Sequence, residues 1–217
     1  MKTTTLIITA LCGFFINAAL AGNYTLQTKY SSDYFYRGSL KAQESIQLGV
    51  GASGKILDLD YTIGAFSNQS IDSGTDTYIL SAGASKSFLD SLLSVYAGVN
   101  HVEDLDGASV MEGEINLKFD SILSPTVSIF RDLDADNWTT ELSLSHQVDL
   151  KLADLEIQGS AGSTENSSSE EETYYSIGAE FSRSLTESSA ISLDVSRVDA
   201  DSINEEYVLG LGISVNF

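Results

Sequence analysis

From Tyr24 to Phe217 the chain is a succession of short segments in which large apolar residues alternate with small or polar ones. The last segment is the plainest. Tyr207, Leu209, Leu211, Ile213, Val215 and Phe217 fall on one face, and Gly210, Gly212, Ser214 and Asn216 on the other. Successive side chains of a strand point to opposite faces, so this pattern predicts a strand with one greasy and one small, polar side. Alternation bounded by turn residues predicts twelve such strands, near 24–37, 44–53, 56–67, 76–87, 92–102, 110–120, 125–133, 138–149, 151–161, 173–184, 189–199 and 205–217. A soluble sandwich would bury the apolar face and leave the other charged and wet. Here the second face is mostly Gly, Ser and Asn, which suits the inside of a barrel whose greasy face meets lipid. Only helices and closed barrels satisfy every backbone group in hydrocarbon, so the expected fold is all-β: a closed antiparallel transmembrane β-barrel of about twelve strands.

An even strand number puts both ends on one side, expected to be the periplasm of a Gram-negative cell. The connections on that side read as tight turns, at 53–55, 88–91, 121–124, 149–150 and 185–188. Those opposite read as polar and often acidic loops, at 38–43, 68–75, 103–109, 133–137, 162–172 and 199–204, of which Ser163–Glu172 is the only low-complexity stretch. None is long enough to predict an inward-folded plug. Aromatic residues at predicted strand ends, Tyr24, Tyr34, Tyr36, Phe119, Trp138, Tyr175, Tyr207 and Phe217, fit girdles at the two membrane interfaces.

Ahead of the first strand, Lys2, an apolar run from Leu6 to Ile16 and Ala19-Leu20-Ala21 before Gly22 make a secretory signal peptide over residues 1–21. The rest, 22–217, is one barrel domain in the outer membrane. The single cysteine, Cys12, leaves with the leader, which removes disulfide and thiolate chemistry. Loss of Lys2 takes the net charge from −20 to −21. A chain this acidic is a poor partner for nucleic acid. With 42% hydrophobic residues and one proline it is not a disordered polyanion either, so its charges must be segregated into loops and lumen.

On the predicted inner face, Gly49, Gly51, Gly64, Gly83, Gly98, Ser81, Ser143, Ser176, Gly178 and Gly210 leave space, and twelve strands lie between a side-chain-filled small barrel and a wide porin. The expectation is a narrow wet pore lined by Asp33, Arg37, Asp58, Asp60, Glu112, Glu114, Lys118, Glu141, Glu156, Glu180 and Asp194, with Lys29, Arg37 and Lys118 as its main bases. Excess acid in a low-dielectric tube concentrates cations, which predicts passive diffusion of small hydrophilic solutes with cation preference. The competing expectation is that acids and bases pair and only stiffen the wall. A non-conducting structural or surface-binding, adhesin-like barrel is the alternative function.

An enzyme is not expected. His101 and His146 are the only histidines, His146 and Ser145 fall on opposite faces, and no zinc, nucleophile-elbow or phosphate-loop pattern occurs. Asp132, Asp134 and Asp136 begin like a calcium loop but lack the glycine at the sixth position and the closing glutamate, leaving weak divalent binding as the most they suggest. No cofactor is predicted. Expected partners are outer-membrane lipid and lipopolysaccharide, small solutes or cations, and the barrel-assembly machinery, whose client signal the end Gly212, Val215 and Phe217 is similar to.

The sharpest motif is Ser32-Asp33-Tyr34-Phe35-Tyr36-Arg37-Gly38, followed by a polar stretch and the glycine-containing strand Ile46–Gly51. It resembles the start of the TorF-like porin family over roughly residues 24–66, while the later loops depart by their acidity. The resemblance implies an outer-membrane barrel with a channel role. By strict alternation Asp33, Phe35 and Arg37 would face the lumen and Tyr34 and Tyr36 the lipid interface, with Asp33 and Arg37 about 13 Å apart and paired to neighbouring strands. Arg37 would then be a latch on the acidic wall or part of a constriction.

Overall fold

The computed structural model describes residues 22–105, 107, 109–135, 137–165 and 171–217. The leader and Cys12 lie outside the described residues. Twelve strands form one closed ring in which each pairs antiparallel with its sequence neighbours and β1 pairs with β12. They are β1 (Asn23–Tyr36), β2 (Ser39–Ile56), β3 (Leu59–Gly74), β4 (Thr77–Phe88), β5 (Leu93–Asp104), β6 (Ser109–Phe119), β7 (Thr126–Asp132), β8 (Trp138–Asp149), β9 (Asp154–Glu165), β10 (Glu171–Ser184), β11 (Ser189–Ala200) and β12 (Ile203–Asn216). The seam sets Thr25 opposite Asn216 and Ser31 opposite Gly210. Tyr24 and Phe217 exchange backbone hydrogen bonds of 3.1 and 2.9 Å at its foot. With the ring closed, every strand has a paired neighbour on both sides.

The solvent pattern is inside-out relative to a soluble domain. Large apolar residues around the whole ring are exposed, among them Leu48, Ile63, Val99, Ile115, Leu142, Ile177 and Leu209, the last at 55%. The most buried positions include Ser31, Ser45, Asn68, Thr77, Asn100, Glu112, Ser128, Thr139 and Asp194. Exposed apolar surface on this scale would aggregate in water, and its continuity from strand to strand makes it a lipid-facing belt. Trp138, Tyr175 and Tyr207 stand on its far margin; Phe88, Phe119 and Phe217 stand at the rim where β1 begins and β12 ends. No helix among the described residues is long and apolar enough to cross a membrane.

The connections differ from expectation. At the near rim, where β1 begins, Leu57 and Asp58 alone join β2 to β3. At the far rim three joins are equally short: Arg37 and Gly38 join β1 to β2, Thr75 and Asp76 join β3 to β4, and Asp201 and Ser202 join β11 to β12. Much of two polar stretches predicted as outer loops is strand. Ser39–Gln43 belongs to β2 and Asn68–Gly74 to β3, because polar residues pair their backbones as well as apolar ones once a hairpin runs beyond the lipid. At one far turn, Thr173 donates its backbone N–H and its hydroxyl to Asp201, at 2.7 and 2.9 Å, which holds that carboxyl below the usual carboxylate range.

Candidate functional site

Register alone fixes the inner face around most of the ring, because residues paired across a ladder share a face. Glu114 is opposite Gly98 and Phe130, Glu141 opposite Ser128 and Gly162, and Glu180 opposite Glu156 and Asp194. Glu112, Lys118 and Asp60 belong to the same inner set, Lys118 and Asp60 close to the near rim. The inner face therefore carries Asp60, Glu112, Glu114, Lys118, Glu141, Glu156, Glu180 and Asp194.

Two expected wall residues are elsewhere. Asp58 sits in the β2–β3 turn beside Leu57, whose φ of 57° ends the ladder. Asp33 takes the face opposite Tyr34 and pairs with exposed Gln43. The cause is a break in the alternation. Between the pairs Ser31–Ser45 and Asp33–Gln43, Glu44 adopts a left-handed φ of 48°, and a register shift follows between Tyr34 and Phe35. The upper part of the β1–β2 hairpin is thereby turned over. Tyr34 and Tyr36, expected at the lipid interface, face inward: the Tyr34 ring lies 5.7 Å from that of Phe66, and Ala42 opposite Tyr34 is 1% exposed.

The turned-over tip reaches across the barrel. Tyr36 donates its hydroxyl to Glu112 Oε2 at 2.7 Å, and Arg37 donates through both terminal nitrogens to the two oxygens of Glu112, Nη2 to Oε2 at 2.9 Å. The Arg37 guanidinium lies 3.7 Å over the centre of the Phe130 ring and 4.8 Å from that of Tyr36. Glu112 and Phe130 are on β6 and β7, the strands opposite β1 in the ring. A Cβ added at Gly38 would come within 2.6 Å of Tyr174 Cβ on β10, so the turn touches a third part of the wall. Tyr174 in turn donates to Glu141 at 2.8 Å. Arg37 thus pairs with the far wall and not with a neighbouring strand. No loop was long enough to suggest a plug, and the piece that reaches across the lumen is a strand end with its turn.

Several other bases are paired, though no ion pair reaches inner-wall Lys118 among the described residues. Lys29 pairs with Asp194 at 2.9 Å, Lys41 with Asp104 at 2.9 Å, and Lys55 more loosely with Asp60 at 3.7 Å. Glu114 accepts from the amides of Asn100 and Asn116 at 2.9 and 2.7 Å, and Glu141 from Tyr174. Among the described residues no ion pair reaches Glu114, Glu141, Glu156 or Glu180. The small inner residues act partly as seats: a Cβ at Gly210 would collide with Asp194 and Lys29, and one at Gly83 or Gly98 with the Tyr96 ring. Below the tip the lumen holds a cavity of about 430 Å³ bordered by Gln27, Lys29, Gln47, Phe66, Glu180 and Ser192.

The remaining candidates are simpler. Asp132 Oδ1 accepts the backbone N–H groups of Asp134 and Ala135, at 2.8 and 2.9 Å, and Asp134 accepts that of Met111 at 3.3 Å, so both carboxylates are bound up in a turn. Asp136 lies outside the described residues. Among the described residues no three His, Cys, Asp or Glu side chains converge to hold a metal. His146 is on the outer face, bonded to the Ile122 carbonyl at 2.7 Å, and His101 is in outward register with Leu80 and Met111. Gly212 lines the lumen, while Val215 and Phe217 follow at the foot of the seam. Sequence reading missed Tyr34, Tyr36, Lys41, Asp104, Phe130 and Tyr174 as interior groups. A cluster of three aromatics and an arginine before Gly38 was the available signal, since that many bulky groups at a hairpin tip need something to cover them.

Neither a family model nor a curated protein sequence matches the chain. Solved structures do match it. The KdgM porin in complex with disordered oligogalacturonate is similar over 90% of this chain and 99% of its own, with a TM-score of 0.60 at 9% identity. An outer membrane channel from Pseudomonas putida F1 is similar over 91% and 96%, with a TM-score of 0.59 at 10% identity. The NanC porin is similar over 88% and 98%, with a TM-score of 0.59 at 10% identity. At these identities the likeness is one of fold: this chain has the closed antiparallel β-barrel architecture of outer-membrane channels.

Proposed function

We propose that this protein is an outer-membrane channel for passive diffusion of small hydrophilic solutes, with a preference for cations. The observation that carries the reading is the inner wall: small and polar, with Lys29, Arg37, Lys41 and Lys55 spent on Asp194, Glu112, Asp104 and Asp60, and with Glu114, Glu141, Glu156 and Glu180 outweighing Lys118 among its charges without an ion partner in the described residues. Unneutralised acids in a confined tube raise the local cation concentration and repel anions. The resemblance of the first hairpin to the TorF-like porin family and the barrel shared with the KdgM and NanC porins support a channel role. The oligogalacturonate bound by KdgM is a polyanion, which the acidic lumen here disfavours. Lipopolysaccharide at the far rim and the assembly machinery at Gly212, Val215 and Phe217 are the partners this reading implies.

The test is single-channel recording of refolded residues 22–217 in a planar bilayer under a potassium chloride gradient. Discrete steps with a cation-sided reversal potential are expected. A chloride-sided potential would remove the selectivity. A folded barrel silent under all conditions would favour the second reading, a structural or surface-binding barrel, for which the tip across the lumen is the specific observation.

A further inference from the structure

We propose that the β1–β2 tip, Tyr34–Gly38, is a hinged gate of this channel and that the Arg37–Glu112 pair is its latch. The inference rests on the channel reading above and goes beyond it by naming the part that moves and the residues that hold it.

Three observations converge. First, the tip lies across the lumen, touching β6 and β7 through Glu112 and Phe130 and β10 through Tyr174. Secondly, the hairpin is irregular beneath it: Glu44 is left-handed at φ 48°, and the β1–β2 register shifts between Tyr34 and Phe35, just beyond Gln43–Ser73 and Ala42–Gly74, the last pairs that tie β2 to β3. Each irregularity removes ladder hydrogen bonds that would otherwise resist bending. Thirdly, the contacts that hold the tip to the far wall are polar and charge-assisted: an ion pair, a phenol bond and a cation over a ring. Such an element has two arrangements whose balance a few contacts decide.

A latch is separable from a fixed wall charge. Arg37→Ala and Glu112→Gln change the lumen charge in opposite directions. If the pair only sets the field, the two variants shift cation selectivity oppositely and leave conductance near that of the parent protein. If it is a latch, both raise conductance or open time several-fold. A locked form supplies the converse: residues 22–217 contain no cysteine, and a Cβ at Gly38 would lie 2.6 Å from that of Tyr174, so a shift of the tip by about 1 Å, once the Tyr174 ring is removed, reaches the Cβ separation of a disulfide. Gly38→Cys/Tyr174→Cys should conduct poorly when oxidised and recover with dithiothreitol, all recordings being made on barrels whose heat-modifiable mobility shows them folded. Conductance indifferent to the disulfide, or opposite selectivity shifts without a rise in conductance, would overturn the gate while leaving the channel standing. Silence of every variant, reduced and oxidised, would overturn the channel reading and the gate with it.

Discussion

The two strands that flank β1 in the ring, β12 and β2, behave differently. In β12 the alternation is unbroken: Tyr207, Leu209, Leu211 and Ile213 are exposed on the outside while Val208 and Gly210 are buried within, in continuous register with β1 from Thr25–Asn216 to Ser31–Gly210. In β2 the same regularity holds from Ser53 down the chain to Ser45 and then fails at Glu44, beyond which β1 and β2 turn over together. Below Ser31 a neighbouring strand is paired on either side, so a slip would move every greasy side chain to the wrong face. Above it β1 leaves its ladder with β12, while β2 stays paired with β3 through Gln43–Ser73 and Ala42–Gly74. The two-residue period thus holds as long as every residue keeps an extended backbone, and one left-handed residue turns over a hairpin even where ladders continue beside it.

The comparison can be broken most strongly on the regular side. Leu209→Arg puts a charge on the lipid face at mid-strand and is expected to cost about 2–4 kcal/mol, read from urea titration of the barrel in vesicles. Next comes removal of Phe217, which takes away the carbonyl and N–H that close the seam on Tyr24 as well as the assembly signal. The expected outcome is a marked fall in outer-membrane yield of heat-modifiable barrel, and equal yield would argue against the signal. On the irregular side, Gly38→Ala places a Cβ at φ 77° and against Tyr174, which costs about 1–2 kcal/mol locally. The cost should appear as faster hydrogen exchange over 34–42 with little change in global unfolding. Tyr174→Ala in the same chain should return part of the protection. The smallest effect is expected at Glu44, where glycine relieves the left-handed strain and should stabilise by about 1 kcal/mol, measured as a raised urea midpoint. A lowered midpoint there would mean that the Glu44 side chain holds the bend.

Most of the wall was legible because it repeats. Glu112, Glu114, Glu141, Glu156, Glu180 and Asp194 each sit within an unbroken run of alternation, and one correct neighbour places the rest. Asp58 was misplaced because a turn can absorb a residue that continues the pattern. Asp33 was misplaced because nothing local to Ser32 or Gln43 announces a left-handed residue: Glu44 is neither glycine nor asparagine. The ion partners were legible in type but not in identity, since Lys41 with Asp104 and Arg37 with Glu112 are joined across the ring by distances that sequence separation does not encode.

The features legible along the chain are therefore local and periodic: strand number, the greasy and small faces, an acidic interior, and the even count that returns both strand ends to one rim. A period of two is a property of each strand alone, so it survives without knowledge of the partners. Assembly of the barrel settles the rest: that the first hairpin bends inward, that Arg37 meets Glu112 on the opposite wall, and which acids are left without an ion partner among the described residues. Those outcomes depend on closure of the ring, which sets the distance across the lumen, and no residue carries that distance in its neighbours along the chain.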